Sequence, residues 1–369
     1  MQERRIVTDG VPLGAYSPAV VAGGLVYVSG IRGTEPSGGG AMDVRAETRR
    51  VLDHVKEVLD AAGSSLEQAV SINVYLKRAG DFDAMNASYR EYFPQDPPTR
   101  TTVVTDLVDG ALVEMSAVAL PNGITREVLH PPGWAKSPRP YSSIIRAGGL
   151  VFLSGLVSRR GSDDQVVPGP VSLQTKTILD NAGVLLKAAG LKYDDVVSAR
   201  VFLSDDSYFE AMNDEYRKYF GVEPPARATA ITGLVGPELQ VEISLVASLS
   251  AKQPIGPLSS PTLPVSTAIR AGDRIFLSGV LGNRDANHDD VAGQTREALT
   301  RIGRTLETAG ASFADVVDST VYLPDLWQQA KLNDVFREFF PKDPPARTTV
   351  GARLVARDSQ VEILVTAVK

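Results

Sequence analysis

The chain has no cysteine among its 369 residues. That excludes disulfides, thiolate nucleophiles, Cys-ligated zinc and iron–sulfur clusters. Histidine is almost as scarce, at three residues. His54 stands in a helical pattern beside Asp53, His130 in a proline-rich stretch and His288 in a polar loop. They read as surface or linker positions, so no metal and no cofactor is expected. No apolar run approaches the ~20 residues that a membrane-spanning helix needs. The opening Met1-Gln-Glu-Arg-Arg5 lacks an apolar signal core, and the expected location is the cytoplasm. Charge of one sign is also missing: 38 basic against 44 acidic residues leave a net −6. Such a balance gives no footprint for nucleic acid or an anionic membrane.

What the chain has is repetition. Leu25-Val-Tyr-Val-Ser-Gly30 recurs as Leu150-Val-Phe-Leu-Ser-Gly155 and as Arg274-Ile-Phe-Leu-Ser-Gly279, with glycine spacings of 125 and 124. Asp96-Pro-Pro-Thr-Arg100 recurs as Glu223-Pro-Pro-Ala-Arg227 and Asp343-Pro-Pro-Ala-Arg347. Val113-Glu114-Met, Val241-Glu242-Ile and Val361-Glu362-Ile follow in the same order. A period this long makes each repeat a domain, not a solenoid turn. The expected units are 1–125, 126–250 and 251–369. Pro/Gly-rich Pro121–Pro138 and proline-rich Ala251–Pro264 read as linkers.

Within a unit the pattern reads β-β-α-β-α-β-β. In unit 1, Ala19–Val21 and Leu25–Ser29 flank Ala22-Gly-Gly24, a hairpin signal. Val51, Leu52, Val55, Val58 and Leu59 recur at helical spacing before Gly63. Val70–Leu76 alternates as a strand, and Asp81–Phe93 carries Met85, Tyr89 and Phe93 on one helical face. Thr101–Leu107 and Ala111–Ala119 read as a closing hairpin. The expected fold class is α+β: a mixed sheet with two helices on one face. Three such sheets can bury their other faces in a closed intramolecular pseudo-trimer, and the chain would then be a monomer with internal three-fold symmetry.

The unit resembles the Rid (YjgF/L-PSP) superfamily, whose units have an α+β fold of the chorismate-mutase-like class and usually form homotrimers. The resemblance rests on Ala15-Tyr-Ser-Pro-Ala19, Tyr27-Val-Ser-Gly30, Ala61-Ala-Gly-Ser64, Met85-Asn86, Pro98-Thr-Arg-Thr101 and Val113-Glu114, and it covers the chain three times over.

Arg100, Arg227 and Arg347 each follow Pro-Pro-Xaa into a strand. A planar guanidinium matches a carboxylate bidentately, whether the partner is a substrate or an internal acid. The resemblance implies the first. Glu114, Glu242 and Glu362 lie 14, 15 and 15 residues downstream. They suit ion pairing or the holding of a water, and the resemblance implies the water. Tyr16 and Tyr141 occupy the family's tyrosine position, whereas unit 3 has Val265. Ser29-Gly30, Ser154-Gly155 and Ser278-Gly279 end a strand where the backbone can approach a ligand or simply turn tightly. The next position, often glutamine in the family, is Ile31, Leu156 or Val280, which suggests a more apolar pocket. Asn86, Asn213 and Asn333 recur on the second helix, where capping or an interhelix hydrogen bond accounts for them as well as ligand binding does.

By the same resemblance the clefts lie between units, each combining Arg and Glu of one unit with Tyr and Ser-Gly of a neighbour. They are chemically unequal, and one or two of them are expected to be active. The implied reaction is hydrolytic deamination of enamines or imines such as 2-imino acids to 2-keto acids and ammonia, on a small carboxylate-bearing substrate. The alternatives are a pathway enzyme acting on a larger carboxylated intermediate and a non-catalytic carboxylate-binding protein. Endoribonuclease activity, reported for some members, fits poorly with the acidic charge.

Overall fold

The computed structural model describes residues 4–8, 14–33, 43–258 and 262–369. Met1–Glu3 of the N-terminal segment, and 259–261 of the second linker, lie outside them. Unit 1 runs β1 (Arg5–Val7), β2 (Ala19–Ala22), β3 (Leu25–Arg32), α1 (Val44–Ala61), β4 (Ala69–Leu76), α2 (Phe82–Tyr92), β5 (Thr99–Val104) and β6 (Val113–Ala119). Gly23 and Gly24 turn the β2–β3 hairpin with φ of 57° and 75°. A two-residue hairpin requires that left-handed backbone, which glycine adopts without a Cβ clash. Asp43 caps α1, its side chain accepting from Ala46 N at 2.8 Å.

Unit 2 runs β7 (Glu127–Val128), β8 (Ile144–Ala147), β9 (Leu150–Leu153), α3 (Val171–Ala188), β10 (Val196–Leu203), α4 (Phe209–Tyr216), β11 (Ala226–Ile231), β12 (Gly233–Leu234) and β13 (Val241–Ser248). Unit 3 runs β14 (Lys252–Leu258), β15 (Ser266–Ala271), β16 (Arg274–Leu277), β17 (Val280–Leu281), α5 (Val291–Thr308), β18 (Val316–Leu323), α6 (Gln329–Phe339), β19 (Ala346–Gly351), β20 (Arg353–Leu354) and β21 (Glu362–Val368).

Three seven-stranded mixed sheets result, the first in the order β1-β2-β3-β6-β4-β5-β12. The expected closing hairpin is therefore not one. β5 pairs in parallel with β4, and β6 lies between β3 and β4, antiparallel to both. The intervening α2 provides the crossover that parallel pairing requires, so β5 and β6 end up on opposite sides of β4. The linkers differ from expectation too. Lys252–Leu258 is an edge strand on β15, where Pro254 and Pro257 can sit because an edge leaves some N–H positions unpaired.

The helices cover one face of each sheet. The resulting cores hold α1 residues Val51, Leu52 and Val55, and their counterparts Ile178, Leu179 and Ala182 in α3 and Ala298, Leu299 and Ile302 in α5. The opposite faces meet in two apolar clusters that each draw on all three units. One contains Leu25, Tyr27, Phe152 and Phe276, the other Tyr75, Phe202 and Tyr322. Backbone pairing joins the units as well: β12 pairs with β5, β20 with β11, and Asp106 bridges Gly351. Unit 2 thus extends the sheet of unit 1, unit 3 that of unit 2, and unit 1 reaches unit 3. The contacts close in a ring. No helix among the described residues is long and apolar enough to cross a membrane.

Candidate active site

Each Pro-Pro-Xaa-Arg segment enters its strand against the Ser-Gly turn of the next unit. Arg100 of unit 1 meets Ser154-Gly155 of unit 2, Arg227 meets Ser278-Gly279 of unit 3, and Arg347 meets Ser29 of unit 1. The glutamates arrive from the same side as the turns. Glu242 acts electrostatically on Arg100, Glu362 on Arg227 and Glu114 on Arg347. The expectation that Arg and Glu of one unit share a cleft is thus corrected. They sit on strands separated by β4, and a cleft joins Arg and Asn of one unit to Tyr, Ser-Gly and Glu of the next. The first cleft lies between units 1 and 2, the second between 2 and 3, and the third between 3 and 1.

The serine hydroxyls are consumed by the framework. Ser154 Oγ accepts from Arg100 N at 2.8 Å and donates to Ser142 O at 2.7 Å. Ser278 and Ser29 make the same pair of bonds, to Arg227 N and Ser266 O and to Arg347 N and Ser17 O. These buried hydroxyls lock the unit interface beneath the arginine. The glycines have a steric role: a Cβ at Gly30, Gly155 or Gly279 would collide with Oε1 of Glu114, Glu242 or Glu362. The carboxyl group occupies the space the missing side chain leaves.

The residues after Ser-Gly do not make the cleft apolar. Leu156 belongs to the helix-side core of unit 2, and Ile31 and Val280 pack against the cores of their own units. The strand register slips between Val28 and Ile31. Such an irregularity breaks the in–out alternation on which the expectation relied.

The three arginines are 3–5% exposed. Each guanidinium lies over an aromatic ring of the second helix: Arg100 over Tyr89 at 5.0 Å, Arg227 over Tyr216 at 4.7 Å and Arg347 over Phe336 at 4.6 Å. Tyr141 and Tyr16 flank the first and third at 5.5 and 5.4 Å. In each arginine Nη1 is buried without a hydrogen-bond partner. The second and third arginines spend one bond internally, Arg227 Nη2 on Asn213 Oδ1 at 2.7 Å and Arg347 Nη2 on Asn333 Oδ1. Asn86 Oδ1 is left buried and unpartnered. The ring partners went unread as site residues, yet Tyr89, Tyr216 and Phe336 each stand three positions after the recurring asparagine. That i, i+3 spacing puts both on one helical face.

The endoribonuclease L-PSP family model matches the chain three times, at 8–120, 135–249 and 258–369. The chain belongs to the Rid (YjgF/L-PSP) family. Its relatives include the 3-aminoacrylate deaminase RutC of Acinetobacter baylyi, 37% identical over 32% of this chain and 98% of that protein. Another is the goat (Capra hircus) 2-iminobutanoate/2-iminopropanoate deaminase, 36% identical over 35% of this chain and 92% of that protein. A chorismatase crystal structure shares the fold, with a TM-score of 0.55 at 16% identity over 82% of this chain and 93% of that one.

In this Rid-family chain the glutamates are buried acids. Desolvation raises Glu114 to about 7 and Glu242 and Glu362 to about 8. Glu242 Oε1 accepts from Thr102 N at 3.1 Å, which partly offsets the shift. Burial also holds Arg100 and Arg227 below the ordinary guanidinium value and brings Arg347 to about 10. A carboxyl poised near neutrality can hold a water in one protonation state and deliver a proton in the other. The first cleft has a volume of about 360 Å³ and is lined by Arg100, Tyr141, Gly155, Val157 and Glu242. No group of three metal-ligating side chains occurs among the described residues.

Proposed function

We propose that the chain hydrolyses 2-imino acids, or their enamine tautomers, to 2-keto acids and ammonia in the clefts between its units. We also propose that the units run 1–125, 126–250 and 251–369, and that one chain is the complete assembly. The observation that carries the reading is the Nη1 of Arg100, buried and unpartnered, at a cleft that Glu242 also lines. A guanidinium in that state invites an anionic ligand. The relatives named as imine and aminoacrylate deaminases support the same chemistry.

In the mechanism, Arg100 holds the substrate carboxylate and fixes the C=N carbon. Glu242, ionised, takes a proton from water as the water oxygen bonds to that carbon, and passes the proton to the nitrogen to give the carbinolamine. The carboxylate then takes the carbinolamine hydroxyl proton and delivers it to the nitrogen as the C–N bond breaks and the carbonyl forms. C=NH plus water becomes C=O plus ammonia, with the carboxylate regenerated. Positioning supplies much of the acceleration because an imine is already electrophilic. Tyr141 offers a further hydroxyl beside Arg100. Arg227 with Glu362 and Arg347 with Glu114 are the corresponding pairs.

The test is imine decay, with 2-iminobutanoate generated in situ by an amino-acid oxidase. Replacing Arg100, Arg227 and Arg347 together by lysine keeps the charge and removes the fork. The loss of one charge-assisted contact predicts a fall in kcat/KM of about 10- to 100-fold. A triple variant that folds normally and works at the parental rate would overturn the reading.

A further inference from the structure

The first cleft carries two arginines at positions where the other units have different residue types. Arg139 and Arg159 both line it, together with Arg100. Arg139 stands two residues before Tyr141; the matching positions are Gly14 before Tyr16 and Leu263 before Val265. Arg159 stands four residues after Gly155, and the match after Gly279 is Asn283. The counterpart after Gly30, Thr34, lies outside the described residues.

A dedicated scaffold holds these arginines. The segment before Tyr141 docks on the unit-2 loop, with Ala135 N donating to Gly161 O at 2.7 Å and Trp134 Nε1 to Ser143 Oγ at 3.0 Å. Asp164, in a left-handed turn at φ 57°, accepts from Arg139 Nη1 at 2.7 Å. Arg159 Nη1 approaches the same oxygen at 3.6 Å and donates to Asp164 O at 2.7 Å. Two guanidinium groups thus share one carboxylate, and no described residue accepts from the Nε or Nη2 of either. Asp83 and Glu238 also line the cleft, but they are exposed, where water and salt screen them. Arg139 and Arg159 are half-buried, with side chains 26% and 22% exposed. Arg139 is near enough to Arg100 to disfavour its charge, a repulsion that an anion placed between them would relieve.

We propose that the first cleft selects a dianionic substrate, a 2-imino dicarboxylate, with one carboxylate on Arg100 and the second on Arg139 and Arg159. The proposal rests on the reading of Arg100 as a carboxylate anchor. It assigns the first cleft a substrate class that the second, with Leu263 and Asn283, is not built to prefer.

The test is calorimetric binding of 2-oxoglutarate and oxaloacetate against 2-oxobutanoate, on the full chain and on R139Q/R159Q. The parental protein should bind the dicarboxylates about 10- to 100-fold more tightly, the range one charge-assisted contact gives, at one tight site per chain. In the double variant that preference should fall towards one. Single variants R139Q and R159Q give intermediate ratios if both cations contribute. Equal affinities in the parental chain, or a preference that survives the double substitution, overturn the proposal. Preferential dicarboxylate binding without hydrolysis of any imine supports it and instead refutes the deaminase reading. Imine hydrolysis without a dicarboxylate preference does the reverse.

Discussion

The first and second clefts share a backbone plan and differ in what remains available to a ligand. In the first, Asn86 leaves Arg100 free, Tyr141 flanks the guanidinium and two further arginines stand at the wall. In the second, Arg227 is bound to Asn213, and Val265 stands in the tyrosine position. The buried supports are nearly identical: a serine bridging the units, a glycine vacated for a carboxyl, and an aromatic ring under the arginine. Fusion therefore preserves the framework while letting the groups that face the ligand drift apart. Identical subunits of a homotrimer have no such freedom.

This contrast can be broken by experiment, and the largest effect is expected at the acids. Glu242→Gln removes a group proposed to move protons, a role worth about 100-fold or more. Its loss of kcat should exceed that of Glu362→Gln by at least an order of magnitude, and equal losses would make the clefts equivalent. Next in size is Arg100→Lys, expected to cost about 10- to 100-fold in kcat/KM against a smaller loss for Arg227→Lys. A larger effect at Arg227 would reverse the ranking.

The acids also predict a pH dependence of stability. An unfolded glutamate gives up its proton near 4.5, whereas Glu242 keeps it to about 8. Between those values the folded chain binds more protons than the unfolded one, so stability is fully present below the lower value and falls as pH rises. Urea midpoints should decline from about pH 5 to about pH 9, less steeply in Glu242→Gln. A midpoint that rises over that range would contradict the burial of these groups. The smallest effects are expected at the asparagines. Asn213→Ala, which breaks a buried bond to a charged group, should cost about 1–3 kcal/mol, and Asn86→Ala less. Thermal or urea unfolding compares the two.

Much of this framework was legible in the chain. The Gly-Gly turn, the apolar spacing of α1 and the triplicated landmarks specify a unit because each reports a local backbone demand. The partner of each arginine was not legible. A separation of 14 or 15 residues suits a hairpin as well as two strands flanking a third, and only pairing with β4 decides between them. The orientation of Ile31 depends on a register slip that period-two reading cannot see. Arg139 directly follows a stretch that reads as a linker, because proline-rich composition says nothing about where a docked segment returns to the body. Tyr89 is readable as a helix-face residue, but its role as a platform needs the guanidinium that β5 brings over it.

The ring of short strands between units has a consequence for how the protein withstands dilution. Separate subunits fall apart as their concentration drops, because dissociation gains translational freedom. Here β12, β20 and the Asp106 bridge belong to one polypeptide, so tethering fixes the local concentration of each partner edge. The clefts should stay assembled at nanomolar abundance, where a self-associating set of single units would already have come apart.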